Sequence, residues 1–170
     1  MSALPATVET MSFGTLSTPV GTLGVTSDGS ALTRVGWVRG PVDQEVDTLV
    51  AEALRQLDAY FAGDLRRFDL PFDLGEPSEG VRAVLMTLYE SVAYGESITY
   101  GELAARSGSG IPARGIGAIM GANPVPIIVP CHRVLASDGL GGYSGGEPGQ
   151  GLVTKRRLLE FEGALPAPLF

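Results

Sequence analysis

Residues 123–134 read NPVPIIVPCHRV, and this segment decides how the whole 170-residue chain is interpreted. It holds the chain's one cysteine and one histidine as direct neighbours, Cys131 and His132. A short apolar run at Ile127–Val129, predicted to be extended, and a proline precede the cysteine and would fix its position. A cysteine reacts through its thiolate, which forms at neutral pH only beside a base or a cation. His132 and Arg133 offer both, so the segment predicts a nucleophilic thiol, although a lone cysteine is more often a small core side chain.

A proton leaving Cys131 needs a path to His132. Side chains of adjacent residues point apart in helices and in strands, so we expect a bridging water rather than direct contact. The other ring nitrogen of His132 then needs an acceptor, and Glu162 is a candidate, although spacing alone does not distinguish this role from that of a solvated carboxylate. One Cys–His pair supplies too few ligands for a structural zinc ion, so we expect no metal and no other cofactor.

The composition is that of a globular protein with its own core. Hydrophobic residues make up 44% of the chain, charged residues 18%, and the mean hydropathy is +0.19. No apolar run reaches the ~18 residues that a membrane-spanning helix needs. Met1 to Glu9 lack the basic start and the apolar centre of a signal peptide. We therefore expect a soluble, cytoplasmic protein that does not bind membranes.

The net charge of −7 is distributed unevenly along the chain. Residues 1–80 carry five basic and twelve acidic side chains, whereas residues 81–170 carry seven of each. A polyanion such as DNA would be repelled by the first part and tolerated only by the second.

Hydrophobic spacing and turn residues predict an α/β protein of the α+β kind, divided into residues 1–76 and residues 77–170. The first domain would combine a small antiparallel sheet with a helix, and the second would be helical. We predict strands at Ser12–Thr18, Thr22–Ser27 and Thr33–Val38, and helices at Gln44–Ala62, Ser78–Val92, Thr99–Arg106, Pro112–Ala122 and Leu152–Glu162.

Two short helices with a glycine-containing turn between them, at Thr99–Arg106 and Pro112–Ala122, are typical of a helix-turn-helix. The second helix offers few side chains that could read bases, since Arg114 near its start is followed by small residues such as Gly117 and Ala118. Such a face suits either the minor groove of DNA, only ~6 Å wide, or tight packing against another helix. The sequence leaves both interpretations open.

Together these features resemble the O6-alkylguanine-DNA alkyltransferases, also called methylated-DNA–protein-cysteine methyltransferases. The resemblance rests on the motif Pro130–Val134, the turn Asn123–Pro124 before it and the helix pair. It is strong over about Tyr94 to Gly163 and reaches weakly into the first half through Ala59–Gly63. A cysteine motif that occurs together with this turn and this helix pair is far more specific than a lone short motif.

The resemblance implies a ribonuclease-H-like N-terminal domain and a helical C-terminal domain whose helix-turn-helix binds the minor groove of double-stranded DNA. It implies a DNA repair protein that flips O6-alkylguanine out of the duplex and transfers the alkyl group irreversibly to Cys131, once per molecule and without a cofactor. We expect a monomer that can cluster on DNA.

The resemblance also implies roles for individual residues. Cys131 would be the nucleophile, His132 the base acting through water, and Glu162 the acid that orients His132. Asn123 would brace the active-site turn, and Arg114 would fill the gap left by the flipped base. The implied substrate-binding residues are Tyr100, Val134, Tyr143, Ser144 and Lys155, and the implied DNA-binding residues are Tyr100, Arg114, Gly117, Ala118 and Arg133.

The chain departs from the family pattern at three places. Members usually have a tryptophan in the first helix of the second domain and a proline before the Tyr-Gly pair, where this chain has Met86 and Ala93. The loop from Glu147 to Leu152 is longer than usual, which leaves the size of the substrate pocket and the preferred alkyl group open.

Three other functions compete with alkyl transfer. A non-catalytic lesion sensor of the alkyltransferase-like kind would lack the cysteine, so Cys131 argues against it. A helix-turn-helix regulator would need base-reading side chains and a dimerisation element, and neither is evident. A thiol hydrolase would need turnover and a histidine directly opposite the cysteine. Only alkyl transfer leaves a stable alkyl group on the protein.

Overall fold

The computed structural model describes residues 11–42 and 45–166. The segment Met1 to Glu9 and Gln44 therefore lie outside the described residues, but residues 45–47 are described and are not helical, so the first helix begins later than the predicted Gln44. No helix among the described residues is both long enough and apolar enough to cross a membrane.

Three strands form the antiparallel meander that the sequence predicts: β1 (Ser12–Thr18), β2 (Gly21–Ser27) and β3 (Leu32–Trp37), in that order. Helix α1 (Thr48–Phe61) packs against β1 and β2. It begins at Thr48 because the Asp47 side chain accepts a hydrogen bond from the backbone N–H of Val50 at 2.7 Å and so caps the first turn.

The second half is mainly helical. Its elements are α2 (Glu79–Ser91), β4 (Ile98–Thr99), α3 (Tyr100–Ser107), α4 (Ala113–Gly121), β5 (Val134–Leu135) and α5 (Gly151–Phe161). Ser78 and Thr99 cap α2 and α3 with their side-chain oxygens, as the sequence pattern predicts for Ser78. Helix α3 ends at Gly108, whose φ of 63° is in the left-handed region, and α3 packs against α4 as a helix-turn-helix.

The segment before the cysteine is not extended, so the prediction for Ile127–Val129 is wrong. Ile127 has a φ of 74°, and the backbone N–H of Val129 donates to the carbonyl of Val125 at 2.9 Å. The chain therefore turns tightly before entering a short 3-10 turn at Cys131–Arg133. All of these residues are buried, and burial of the apolar side chains holds a backbone shape that their residue types disfavour.

The two halves meet around this buried turn. The backbone N–H of Val35 in β3 donates to the carbonyl of Pro124 at 2.9 Å. Side chains from the sheet, from α1 and from the second half form one continuous hydrophobic core. The N-terminal sheet thus supports the segment that carries the cysteine.

Candidate active site

Cys131 lies at a cleft of about 510 Å³. Its side chain is almost fully buried, with 4% of the residue exposed. The cleft is lined by Tyr100, Ala113, Arg114, Gly117, Met120, Gly121, Cys131, Gly142, Tyr143 and Ser144. A cleft of this size with one thiol on its wall fits a single small substrate group.

Asn123 braces the turn that carries the cysteine. Its Nδ2 donates to the carbonyl of Val129 at 2.8 Å, and its Oδ1 accepts from the backbone N–H of Val125 at 3.1 Å. The amide side chain thereby bridges both ends of the buried loop and also lies beside the Cys131 thiol, whose pKa it lowers. This geometry agrees with the bracing role expected for Asn123.

His132 and Glu162 form a buried pair, with 2.9 Å between Nε2 and Oε2. Burial alone would raise the pKa of Glu162, but hydrogen bonds and charges from His132 and Arg133 outweigh it and lower the pKa to about 2. An ionised carboxylate only accepts hydrogen bonds, so Nε2 of His132 must carry the proton. Nδ1 then keeps its lone pair, and it has no hydrogen-bond partner among the described protein atoms. This is the form that a general base requires.

Burial opposes the protonation of this histidine. Desolvation lowers the pKa of His132 below its usual value of 6.5, although Glu162 acts in the other direction. The imidazole therefore stays neutral at physiological pH and is ready to take a proton from a neighbouring thiol.

Arg133 does not fit the DNA contact expected for it. Only 6% of the residue is exposed. Its Nε and Nη2 donate to the two Glu162 oxygens at 2.8 and 3.0 Å, and its Nη1 donates to the carbonyl of Val92 at 2.8 Å. Each guanidinium nitrogen thus donates a hydrogen bond inside the protein, and the cation compensates the buried charge of Glu162.

The sequence gives no local signal for Tyr60, which the structure places at the same carboxylate. Its hydroxyl in α1 donates to Oε2 of Glu162 at 2.6 Å across 102 residues of chain. Tyr60 is fully buried among other aromatic rings. The ring of Tyr60 is therefore part of the hydrophobic core, whereas its hydroxyl is part of the candidate site.

Lys155 is buried and lies behind the cleft. Its Nζ donates to the carbonyls of Val134 at 2.6 Å and Gly142 at 2.9 Å. Burial lowers the pKa of Lys155 to about 8, while the nearby Cys131 acts to raise it. Neither Lys155 nor Val134 is among the residues that line the cleft, so both support the pocket rather than face its interior.

The remaining predicted substrate residues form the cleft wall. Tyr143 has a buried hydroxyl close to the Cys131 thiol, and burial raises the pKa of this phenol well above its usual value. Ser144 is exposed and donates to the carbonyl of Gly121 at 3.3 Å. The Tyr100 hydroxyl lies against the backbone of Gly141, where a Cβ would come within 2.7 Å of it, so only glycine fits at that position.

Helix α4 presents an exposed face beside the cleft. Arg114, Gly117 and Ala118 are all exposed on it, and Arg114 and Gly117 also line the cleft. Helix packing does not explain Gly117, because a Cβ there would meet no other atom within 4 Å. Gly115 is closely packed, since a Cβ there would lie 2.8 Å from the Ile111 side chain, but Ile111 belongs to the turn before α4 and not to another helix. Packing against another helix therefore does not account for the small residue Gly117 on the exposed face.

Comparison with known proteins matches both halves of the chain to one family. The family model described as "6-O-methylguanine DNA methyltransferase, ribonuclease-like domain" matches residues 11–74. The model described as "6-O-methylguanine DNA methyltransferase, DNA binding domain" matches residues 81–164.

Individual relatives agree. A methylated-DNA–protein-cysteine methyltransferase of Methanosarcina acetivorans is 36% identical over 162 residues, which cover 91% of this chain and 99% of the relative. The protein of that name from Mycobacterium leprae is 39% identical over 162 residues, 86% of this chain and 89% of the relative.

Solved structures show the same likeness. The O6-methylguanine methyltransferase of Mycobacterium tuberculosis aligns with a TM-score of 0.77 at 35% identity, covering 95% of this chain and 97% of the other. A Mycobacterium tuberculosis relative crystallised in complex with DNA aligns with a TM-score of 0.73 at 37% identity, covering 89% of this chain and 92% of the other. Since these likenesses span nearly the whole length of both partners, the chain belongs to the methylated-DNA–protein-cysteine methyltransferase family.

Proposed function

We propose that this protein repairs DNA by transferring the alkyl group of O6-alkylguanine to Cys131, in a single irreversible turnover. The observation that carries the proposal is the position of the thiol. Cys131 lies on the wall of a cleft that opens beside the exposed face of α4, with the neutral His132 and its carboxylate partner buried behind it. Alkyl transfer requires a reactive thiol beside a base, whereas lesion binding alone does not.

The transfer is a displacement at the alkyl carbon. A bond forms from Sγ of Cys131 to that carbon, the bond from the carbon to guanine O6 breaks, and the electron pair remains on guanine. The thiol proton passes to Nδ1 of His132 through water, and guanine gains one proton from the Tyr100 hydroxyl at the cleft. The tyrosinate then regains a proton from the imidazolium through water, so both side chains return to their neutral forms. The net result is S-alkylcysteine and guanine. A thioether is stable in water, so each molecule reacts once.

Duplex DNA is the partner that the family implies, and α4 is the element that we assign to it. A base inside a duplex is out of reach of a thiol in a cleft, so it must be extruded at a cost of a few kcal/mol. Gly117 and Ala118 allow the helix backbone to approach the minor groove closely. Arg114 stands at the start of α4 beside the cleft, where it can fill the gap left by the extruded base.

Two further points belong to this proposal. We place the boundary between the N-terminal and C-terminal domains at about Glu76, which is supported by family models that end at residue 74 and begin at residue 81. The monomeric state, clustering on DNA and the cytoplasmic location expected from the sequence stay predictions.

The test is to incubate the protein with duplex DNA that contains one O6-methylguanine and to measure the intact protein mass. We expect a gain of one methyl group per molecule, located on Cys131 by peptide mapping. Cys131→Ser should bind the same DNA but gain no methyl group, because a hydroxyl is a far weaker nucleophile than a thiolate. Methylation of the serine variant, or an unmodified wild-type protein after complete lesion binding, would overturn the proposal.

A further inference from the structure

Among the described residues, the Tyr60 hydroxyl makes the one hydrogen bond from the N-terminal half to the buried Glu162 carboxylate. The Tyr60 oxygen lies 2.6 Å from Oε2 of Glu162. Nε2 of His132 and Nη2 of Arg133 lie farther from this carboxylate oxygen, at 2.9 and 3.0 Å. Neither Tyr60 nor the Glu162 side chain is exposed to solvent. The reaction described above assigns no task to this phenol.

We propose that Tyr60 is a positioning residue for alkyl transfer, which fixes the Glu162 carboxylate and limits how strongly that carboxylate attracts a proton onto His132. The inference rests on the proposed function, since it concerns the base of that reaction. Tyr60 touches neither the substrate cleft nor the thiol in the described structure, so it acts only through Glu162.

The positioning argument follows from the number of donors on one oxygen. Oε2 of Glu162 accepts from Tyr60, from Nε2 of His132 and from Nη2 of Arg133, whereas Oε1 accepts from Nε of Arg133. Arg133 alone holds the carboxylate along one edge and would permit it to tilt. The Tyr60 hydroxyl approaches from α1 and prevents this tilt. The carboxylate therefore holds the imidazole of His132 in one orientation.

The ring of Tyr60 is itself held firmly. It packs with its centroid 4.9 Å from that of Phe61, 5.4 Å from Phe68, 5.5 Å from Phe161 and 6.1 Å from Tyr94. Burial and the adjacent carboxylate raise the pKa of the Tyr60 phenol far above its usual value. The hydroxyl therefore remains a neutral donor at physiological pH.

A donor on the carboxylate also tunes the base. The more hydrogen bonds Glu162 accepts, the less negative charge it offers to an imidazolium, so the pKa of His132 stays low. Removal of the Tyr60 hydroxyl should raise the pKa of His132. The charged groups that act on His132 are Glu162 just after α5, Arg133 in the turn and Lys155 in α5. Tyr60 from α1 acts on Glu162, and Tyr143 from the loop interacts with Cys131 and Glu162.

The experiment compares Tyr60→Phe with Tyr94→Phe in the full chain. Tyr94 belongs to the same aromatic cluster, and its hydroxyl donates only to the carbonyl of Phe161 at 3.4 Å, so the control removes a hydroxyl that does not touch Glu162. The rate of alkyl transfer is measured from acidic to alkaline pH, with duplex O6-methylguanine DNA and with free O6-benzylguanine.

We expect Tyr60→Phe to slow transfer roughly tenfold with both substrates, a part of the 10²–10⁴ that a general base contributes. We also expect the acidic limb of its pH–rate profile to move to higher pH, because His132 is protonated earlier. Tyr94→Phe should match the wild type in both respects. An unshifted limb, or an equal loss in both variants, would overturn the positioning role.

A second measurement needs no variant. His132 is the one histidine of the sequence, so its ring-nitrogen NMR signals can be assigned without ambiguity. We expect the tautomer with the proton on Nε2 and a pKa below 6.5 in the wild type, and the opposite tautomer would overturn the inference even if Tyr60→Phe fails to fold. The proposed function is tested separately, because wild-type protein that gains no methyl group would leave the NMR result intact.

Discussion

At Cys131 two influences on the thiol pKa oppose each other. Burial raises the pKa of the thiol, whereas the Asn123 side chain, the Lys155 charge and nearby backbone N–H groups lower it. Burial is the larger influence, so the resting thiol is protonated and needs His132 to accept its proton when the substrate is bound. This combination favours reaction with a substrate in the cleft over reaction with solutes in bulk water.

Lys155→Met should raise the pKa of the Cys131 thiol, because it removes a buried positive charge that favours the thiolate. It should also cost about 1–3 kcal/mol of stability, since the carbonyls of Val134 and Gly142 lose their donor. The rate of reaction with iodoacetamide as a function of pH measures the first effect, and urea unfolding measures the second. Arg156→Met is the matched control, because that neighbouring cation is exposed. A thiol profile identical in both variants would contradict the assignment.

Among the elements, α4 combines two surfaces with different tasks. Its inner side carries the buried Ile116, Ile119 and Met120, whereas its outer side is narrow and carries one cation. Arg114 belongs to the outer side, and its neighbours Gly117 and Ala118 are too small to shield a nucleic acid from the helix backbone. In the proposed function, this surface would allow DNA to approach along the helix and would place one side chain for insertion at its start.

Arg114→Ala should reduce repair of duplex DNA much more than reaction with free O6-benzylguanine. The free base requires no extrusion, so it avoids the unstacking cost of a few kcal/mol that Arg114 offsets. The measured quantity is the ratio of the two rate constants within one variant. Arg106→Ala at the end of α3 is the control, since that exposed side chain bonds Ser91 at 3.3 Å and does not line the cleft. An equal loss with both substrates would reject the insertion role.

The elements also show how far a sequence can be interpreted. The Ser78 cap, the meander and the helix pair depend on contacts between residues close in sequence, and all were predictable. The turn at Ile127 was not, because burial overrides the extended preference of its β-branched side chain. The bond from Tyr60 to Glu162 closes 102 residues of chain, so no local spacing reports it. The burial of Arg133 was missed for a different reason, since a charged residue is normally expected at the surface.

On the scale of the whole molecule, the N-terminal half shapes the reactive centre. Trp37 in β3 meets Tyr143 edge to face, with 6.1 Å between the ring centroids. Together with Arg34 it lines a second cavity of about 220 Å³ that reaches Cys131 from the sheet side. Tyr60 completes this connection from α1 at Glu162. The acidic half thus stands behind the site, while the electrically neutral half carries the face assigned to DNA.

This buried centre should make the stability of the whole molecule sensitive to acid. The pKa of Glu162 falls from an ordinary 4.5 to about 2 on folding. At ~1.4 kcal/mol per pKa unit, the ionised carboxylate stabilises the folded state by about 3 kcal/mol. This contribution is complete above about pH 5 and is lost as the pH falls towards 2. The lowered pKa of His132 acts in the same direction below its usual 6.5. Urea unfolding from pH 7 to pH 3 measures this decline.

Glu162→Gln should be less stable than the wild type at neutral pH, yet its stability should change less with pH. Glu52→Gln should keep the wild-type profile, because the Glu52 pair with Arg55 is exposed and screened by solvent. A wild-type stability that does not change between pH 6 and pH 3 would contradict an ionised Glu162 in the folded core.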